Sequence, residues 1–96
     1  MSDKLLTIEH DESRGRFHTE VDGHLGVLDY QLSNGTMIIQ HTGVPAAVAG
    51  RGIAAQLTRQ ALDTARQRGW RVLPLCSYAV AYIARHPDYQ DLLESA

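Results

Sequence analysis

The sequence predicts a mixed α+β fold with four antiparallel strands, a helix, a fifth strand parallel to the fourth and a C-terminal helix. The first observation is that Asp22-Gly23 and Asn34-Gly35 join short strand-like segments, as two-residue hairpin turns do. The second is that apolar residues recur at helical spacing from Gly52 onward. The third is that a strand-like run follows this helix, and a strand reached through a crossover helix lies parallel to the strand before it.

The N-terminal half of the chain predicts a meander of four strands. The first is a short apolar run at 5–10, and a polar turn at 11–15 separates it from the second at 16–21, where polar and apolar residues alternate. The hairpin turns then delimit a third strand at 25–32 and a fourth at 36–42. The edge of the first strand is free to pair with another chain in this arrangement, but the sequence does not set an oligomeric state.

The C-terminal half predicts two helices around one strand. The first helix starts after Gly52, carries its apolar residues on one side and ends at Gly69, which readily adopts the left-handed conformation. A mostly apolar fifth strand follows at 70–76, in which Pro74 cannot donate a ladder hydrogen bond. The second helix covers 78–85 and ends before Pro87, and a short helical tail is predicted at 88–93.

Composition narrows the possible functions. The chain has 96 residues, so we expect residues 1–96 to form one domain. Its formal net charge is −2, and its basic residues alternate with acidic ones, which argues against a nucleic-acid partner. We find neither a signal-peptide pattern nor an apolar run long enough to span a membrane, and we therefore expect a cytoplasmic protein without membrane contact.

The metal-ligating residue types are few and scattered. Cys76 is the only cysteine, which excludes an internal disulfide and a zinc site built from several cysteines. The histidines at 10, 18, 24 and 86 lack the spacing of metal ligands. The sequence therefore predicts a protein without a metal site.

A glycine-rich turn stands before the long helix, and a strand is predicted to run into it through residues 44–49. Gly50 and Gly52 lack a Cβ, so the backbone of this turn can approach an anion closely. The first N–H groups of the helix have no partners within the helix and lie at the positive end of its dipole. The turn therefore predicts a phosphate site, with an ordinary strand-to-helix turn as the alternative.

A family resemblance covers roughly residues 36–93. Four runs carry it, namely His41-Thr42-Gly43-Val44-Pro45, Arg51-Gly52-Ile53-Ala54, Pro74-Leu75-Cys76 and Tyr82-Ile83-Ala84-Arg85-His86-Pro87. Together with the order of strands and helices, they resemble the acyl-CoA-binding half of the GNAT superfamily of N-acetyltransferases, and more narrowly its small single-domain members. The resemblance implies acetyl-CoA as the cofactor and an amine, in a small molecule or a protein, as the acceptor.

The chain departs from the superfamily pattern at two places. The superfamily's turn reads Arg/Gln-x-x-Gly-x-Gly/Ala, and Ala49 stands where Arg or Gln is expected. Because the backbone donors of the turn remain, we expect weakened rather than abolished cofactor binding. GNAT enzymes also usually carry two helices between their first and second strands, where this chain has about five turn residues, so we expect an open acceptor side.

The resemblance assigns the cofactor to two stretches of backbone. The pantetheine arm would pair with Thr42, Gly43 and Val44 where the fourth and fifth strands splay apart, because an unpaired strand edge needs hydrogen-bond partners. The pyrophosphate would lie on the turn formed by Ala49, Gly50, Arg51, Gly52, Ile53 and Ala54. The Arg51 side chain either contacts a phosphate or is a solvated arginine at the start of the helix.

Three side chains are candidates for the chemistry. The resemblance gives Tyr82 the role of the phenol that protonates the leaving thiolate, although it also fits the apolar face of a short helix. Cys76 is predicted at the C-terminal end of the fifth strand, where it is either an acyl-accepting nucleophile or a small buried residue that lines the pocket. His41 is either a base for the acceptor amine or an exposed strand histidine.

Three functions follow from these assignments. The first is an N-acetyltransferase that transfers acetyl directly from acetyl-CoA to an unidentified amine. The second is a non-catalytic CoA or acetyl-CoA binding module or sensor, since the helices that wall the acceptor site are missing. The third is acyl transfer through an acyl-Cys76 intermediate.

Overall fold

A single five-stranded sheet organises the part of the chain that the structure, a computed structural model, describes, which is residues 6–93. The strands, in spatial as well as chain order, are β1 (Glu9–Asp11), β2 (Arg16–Val21), β3 (His24–Ser33), β4 (Thr36–Gly43) and β5 (Arg71–Pro74). Only β4 and β5 are parallel, and the other neighbours are antiparallel. The helices are α1 (Ile53–Arg68) and α2 (Ser77–Arg85), with 3-10 turns at Ala46–Val48 and Pro87–Leu92. The predicted fold class is confirmed.

The two predicted hairpins form as the sequence indicated. The first residues of both turns, Asp22 and Asn34, have φ near 50°, and the glycines after them have φ of 78° and 79°. Positive φ at both central positions is the geometry whose twist matches antiparallel strands. These turns fix the pairing of β2 with β3 and of β3 with β4.

Three predicted strand boundaries shift. The strand predicted at 5–10 is only Glu9–Asp11, because its pairing with β2 begins at Glu9; residue 5 lies outside the described residues. The fifth strand is shorter than 70–76, because its ladder with β4 ends at Pro74. The prediction that a strand continues through 44–49 is wrong. After Pro45, whose carbonyl accepts a hydrogen bond from the Val48 N–H, the chain makes a 3-10 turn instead.

The core lies between one face of the sheet and α1. Every second residue of the strands points to this face, whereas α1 supplies residues three and four apart, as the two periods require. Fully or nearly fully buried members are Phe17, Leu28, Met37, Ile39 and Val72 from the sheet and Ile53, Leu57, Ala61, Leu62 and Ala65 from α1. The second helix packs beside α1 and against β4 and β5, and it contributes Ala79, Tyr82 and Ile83.

The N-terminal end of α1 rests directly on the backbone of β3. A Cβ added at Gly26 would lie 2.9 Å from Cγ2 of Ile53, the first residue of the helix, and 3.5 Å from Cδ1 of Leu57. A glycine is therefore needed here for close packing of helix on strand. This contact sets the height of the first turn of α1 above the sheet.

A β-bulge in β4 changes which side chains face the helices. Tyr30 pairs with Ile39 and Asp29 pairs with His41, so Gln40 is an extra residue in β4. Beyond the bulge, Thr42 lies opposite the buried Leu28. His41 instead points to the other side of the sheet, which we call the open face because exposed or half-buried side chains make it up: Arg16, His18, Val27, Asp29, Ile38, His41 and Leu73.

The ladder between β4 and β5 ends before β4 does. Its last pair is Ile39 with Pro74, and the Leu75 N–H then donates to the Ile39 carbonyl at 2.9 Å. The fourth strand continues to Gly43 while it pairs only with β3 on its other side. The expected splaying of the two strands is therefore present, and it leaves the edge of residues 40–43 facing a gap.

The C-terminal tail fastens α2 to α1. Arg66 makes two 2.9 Å hydrogen bonds to the carboxylate of Asp91 and a third to the carbonyl of Asp88. The Tyr89 hydroxyl donates to Asp63 at 2.6 Å. The helical tail predicted at 88–93 is thus the 3-10 turn Pro87–Leu92, and it holds the C-terminal end of α2 beside α1.

Candidate functional site

The glycine turn is built entirely from backbone. Gly50 and Gly52 have φ of 83° and 78°, a region in which a residue with a side chain would be strained. Gly52 is the N-cap of α1, and no side chain caps this end of the helix. A Cβ at either glycine would meet no atom within 4 Å, so the space beside the turn is open. The Ala49 N–H is already bonded to the Ala46 carbonyl. The donors left for an anion are therefore those at the start of α1, where a helix leaves its first N–H groups without partners.

A pocket of about 290 Å³ lies beside this turn. It is lined by Val44, Ala49, Gly50, Gly52, Ile53, Ala54, Ala55 and Tyr78. Six of the residues predicted to bind the cofactor are therefore brought together, and Thr42 and Gly43 lie on the adjoining edge of β4. The sequence did not assign Ala55 or Tyr78 to the cofactor. The position of Tyr78 in the first turn of the helix that follows Cys76 could have indicated it.

Arg51 is the one residue of the predicted turn that does not line the pocket. Its guanidinium forms an ion pair with Asp22 in the hairpin between β2 and β3. The two side chains are about half and two-thirds exposed, so the pair is screened by solvent. In this arrangement Arg51 contributes its backbone to the turn, and its side chain ties the turn to the hairpin.

Cys76 lies across the gap from β4. It is the N-cap of α2, and its Sγ is 3.5 Å from the Thr42 hydroxyl oxygen. Burial by itself would raise the pKa of the Cys76 thiol, but hydrogen bonds from Thr42 and from the backbone N–H groups of Ala79 and Tyr78 outweigh burial and lower it. The bulge in β4 makes this contact possible, because it turns Thr42 toward the helices. The thiol therefore has the electrostatic setting of a nucleophile.

The two tyrosines of α2 occupy different surroundings. Tyr78 is 37% exposed and lines the pocket. Tyr82, one turn later, is only 7% exposed, and its ring is stacked on His86 at 4.0 Å and lies 6.3 Å from Tyr89. Burial is the main cause that raises the pKa of both phenols. Both therefore keep their proton at neutral pH, and Tyr78 is the one at the pocket.

His41 lies on the opposite side of β4 from Cys76. It is exposed on the open face, and its imidazole is folded back over Gly43. The sheet thus separates the three candidate side chains into two groups. Cys76 and Tyr82 are on the helix side, as is Tyr78, while His41 is on the side that the helices leave uncovered.

In the described residues, β1 and β2 are joined without the two helices that the superfamily pattern places between them. The first two strands are joined by a four-residue turn, since Asp11 pairs with Arg16. Nothing in this turn is long enough to form the two walling helices. Within residues 6–93 we also find no group of three His, Cys, Asp or Glu side chains arranged for a metal ion, and neither helix has the length and apolar character needed to cross a bilayer.

Comparison with known proteins connects this geometry with a family. A family model described as GCN5-related N-acetyl-transferase matches residues 16–92. The protein NATD1 of Xenopus tropicalis is 33% identical over 85 residues, which cover 85% of this chain and 78% of that protein. The human NATD1 protein is also 33% identical, with 85% of this chain and 75% of that protein covered.

A solved structure agrees with these relatives. The solution NMR structure of a GCN5-like N-acetyltransferase candidate from Staphylococcus aureus superposes with a TM-score of 0.74. The two sequences are 25% identical, and the superposition covers 96% of this chain and 91% of the other. The family model and the structural match therefore both span most of the chain. The chain belongs to the GCN5-related N-acetyltransferase family.

Proposed function

We propose that this protein binds acetyl-CoA in the gap between β4 and β5 and transfers the acetyl group to an amine. The observation that carries the proposal is the early end of the β4–β5 ladder at Ile39 and Pro74, next to a glycine turn that begins a helix. The open pocket beside this turn reaches Val44, the residue that directly follows the strand edge of β4. This combination suits a ligand with an amide-containing arm and a pyrophosphate.

The residues at the pocket suit each part of this ligand. The backbone of Thr42, Gly43 and Val44 offers hydrogen bonds to the pantetheine amides, while the N–H groups at the start of α1, behind the turn from Ala49 to Gly52, are donors for the pyrophosphate. The open space beside Gly50 and Gly52 would be filled by a side chain, so the glycines keep the approach free. Acetyl-CoA would supply an acetyl group activated as a thioester.

The side chains around the gap can accept and donate the protons that the reaction transfers. His41 would accept a proton from the amine nitrogen, and a phenol of α2 would donate a proton to the departing sulfur. The pocket position favours Tyr78 as this donor, while the sequence resemblance favours Tyr82, which lies one turn behind it. The acceptor would reach the acetyl group from the open face, where the described residues leave the sheet uncovered.

Thermal unfolding in the presence of acetyl-CoA tests the binding step. With acetyl-CoA at about 100 times its Kd, the native state gains about 2.7 kcal/mol. For a domain of this size the melting temperature should then rise on the order of 10 °C. ATP serves as a phosphate-bearing control that lacks the pantetheine arm. No shift at millimolar acetyl-CoA, or an equal shift with ATP, would contradict the proposal.

Two glycine variants separate site effects from backbone strain. Gly52→Asp adds a side chain and a negative charge at the turn, so it should abolish the shift caused by acetyl-CoA. Gly35→Asp is the matched control, because Gly35 has a φ of 79°, open space around its Cβ position, and a location at the far end of β4. Each variant is compared with its own unliganded melting temperature. We expect Gly35→Asp to lower that temperature and still respond to acetyl-CoA.

A second candidate, transfer through an acyl-Cys76 intermediate, is supported by one observation. The hydrogen bonds from Thr42 and the start of α2 lower the pKa of the Cys76 thiol despite burial. In that route the thiolate sulfur forms a bond to the acetyl carbon as CoA thiol leaves, and the amine later takes the acetyl group from Cys76.

Cys76→Ala distinguishes the covalent route from direct transfer. We expect this variant to retain turnover, measured as free thiol released from acetyl-CoA in the presence of an amine. After incubation with acetyl-CoA, intact-mass spectrometry should find the same mass pattern for both proteins, with no acetyl adduct that occurs on the wild type and is absent from the variant. A complete loss of turnover together with such an adduct would favour the covalent route. Binding without thiol release, with all amines tried, would indicate a CoA-binding module instead.

A further inference from the structure

The His41 imidazole occupies the place of a side chain at residue 43. Its Nε2 lies 2.7 Å from the position that a Cβ on Gly43 would take, and its Cε1 lies 3.4 Å from that position. A Cβ and a ring nitrogen cannot be that close. Gly43 is not among the glycines with positive φ, so its backbone conformation does not call for glycine. A side chain at residue 43 would therefore displace the histidine ring from this position.

The bulge at Gln40 places this pair on the open face. Beyond the bulge His41 lies opposite Asp29 and Gly43 lies opposite Val27, and both partners point away from the helices. The Asp29 carboxylate is held by Arg16 through hydrogen bonds of 2.7 and 3.3 Å, so this part of the face is already ordered. The imidazole thus lies along the end of β4 that borders the gap, on the side not covered by helices.

We propose that Gly43 is a positioning residue, whose missing side chain lets His41 lie where it takes the proton of the acceptor amine. This inference rests on the proposed acetyl transfer. In that step the amine nitrogen forms a bond to the acetyl carbon, the carbon–sulfur bond breaks, and the sulfur leaves with the electron pair. The amine proton goes to His41 Nε2, and the sulfur takes a proton from the phenol on the helix side.

The double-mutant cycle of Gly43→Ala and His41→Ala tests this coupling. The assay measures thiol release from acetyl-CoA with spermidine, phenethylamine or a lysine-containing peptide as acceptor. His41→Ala should lower kcat about 100-fold, in the range of a lost general base. Gly43→Ala should lower kcat about tenfold, because the methyl group displaces the ring. In the His41→Ala background, Gly43→Ala should cost nothing more, since no ring is left to displace.

Binding and stability should stay near wild type in Gly43→Ala. The substitution keeps the backbone N–H and carbonyl that the pantetheine arm would use, so acetyl-CoA should raise the melting temperature as much as before. The ring is the far end of a side chain with two rotatable bonds, so it can move without unfolding the strand. A loss in kcat with unchanged protection by acetyl-CoA is therefore the expected signature, and a merely structural role would not produce it.

NMR of the unliganded protein tests the placement without any turnover. Nuclear Overhauser contacts between the His41 ring protons and the Gly43 Hα protons should be present in the wild type, and those to residue 43 should weaken in Gly43→Ala. Absence of these contacts in the wild type, or equal losses of kcat from Gly43→Ala in both backgrounds, would overturn the inference. Unchanged thiol release in His41→Ala would overturn the role of His41 alone, whereas protection by acetyl-CoA without thiol release in the wild type would contradict the proposed transfer. Loss of protection itself would instead contradict the proposed function.

Discussion

Tyr78→Phe should lower kcat for acetyl transfer by about 100-fold or more, the loss expected when a general acid is removed. The ring would remain at the pocket wall, so acetyl-CoA should protect the variant from unfolding as it protects the wild type. The physical reason is that Tyr78 lines the pocket and that burial raises the pKa of its phenol, which keeps a proton available at neutral pH. Thiol release and thermal shift measured on the same samples separate the two effects.

Tyr82→Phe is the matched control for this prediction. Tyr82 is on the same helix, is more deeply buried and is stacked on His86, so loss of its hydroxyl should change kcat less than tenfold. The substitution keeps the ring that is stacked on His86, so it should also leave stability near wild type. The opposite ranking of the two variants would assign the proton donor to Tyr82, as the sequence resemblance implies.

Gly26→Val should destabilise the fold and weaken acetyl-CoA binding together. The new side chain would meet Cγ2 of Ile53, whose β-branched side chain has little freedom to move, so the first turn of α1 must lift from the sheet. Overpacking of this kind costs about 1–3 kcal/mol, with a fall in melting temperature of about 4–8 °C per kcal/mol. Valine is favourable in strands, so β3 itself should tolerate the change. The Kd for acetyl-CoA should rise about tenfold or more, because displaced positioning groups lose their geometry.

Ala65→Val provides the comparison for the Gly26 variant. Ala65 is fully buried near the other end of α1, so its replacement also overpacks the core but does so far from the glycine turn. We expect a similar fall in the melting temperature and an unchanged Kd for acetyl-CoA, measured by calorimetry below the melting range. Equal losses of affinity in both variants would show that general destabilisation, rather than the height of the first turn, controls binding.

Local patterns in the sequence were sufficient to predict most of the strands and helices of the fold. The dipeptides at 22–23 and 34–35 require positive φ, and the structure shows it at all four residues. Both ends of the helix Ile53–Arg68 could be predicted, because its apolar period and the glycine that follows it, Gly69, are local features of the sequence. The strand through 44–49 was predicted wrongly, because the chain forms a 3-10 turn after Pro45 instead. This turn is only three residues long, which is too short to produce a detectable hydrophobic period in the sequence.

The glycine turn, the helix behind it and the position of Cys76 at the end of the fifth strand could be predicted from local residue patterns. The directions of the side chains around the gap could not, because they depend on contacts between distant parts of the chain. The bulge at Gln40 is a property of the pairing between β3 and β4, so the residues of β4 alone do not reveal it. It places His41 on the open face and Thr42 toward Cys76. The direction of Arg51 likewise depends on Asp22, which is distant in the chain. Side-chain direction at a site is set by long-range pairing, which local propensity does not encode.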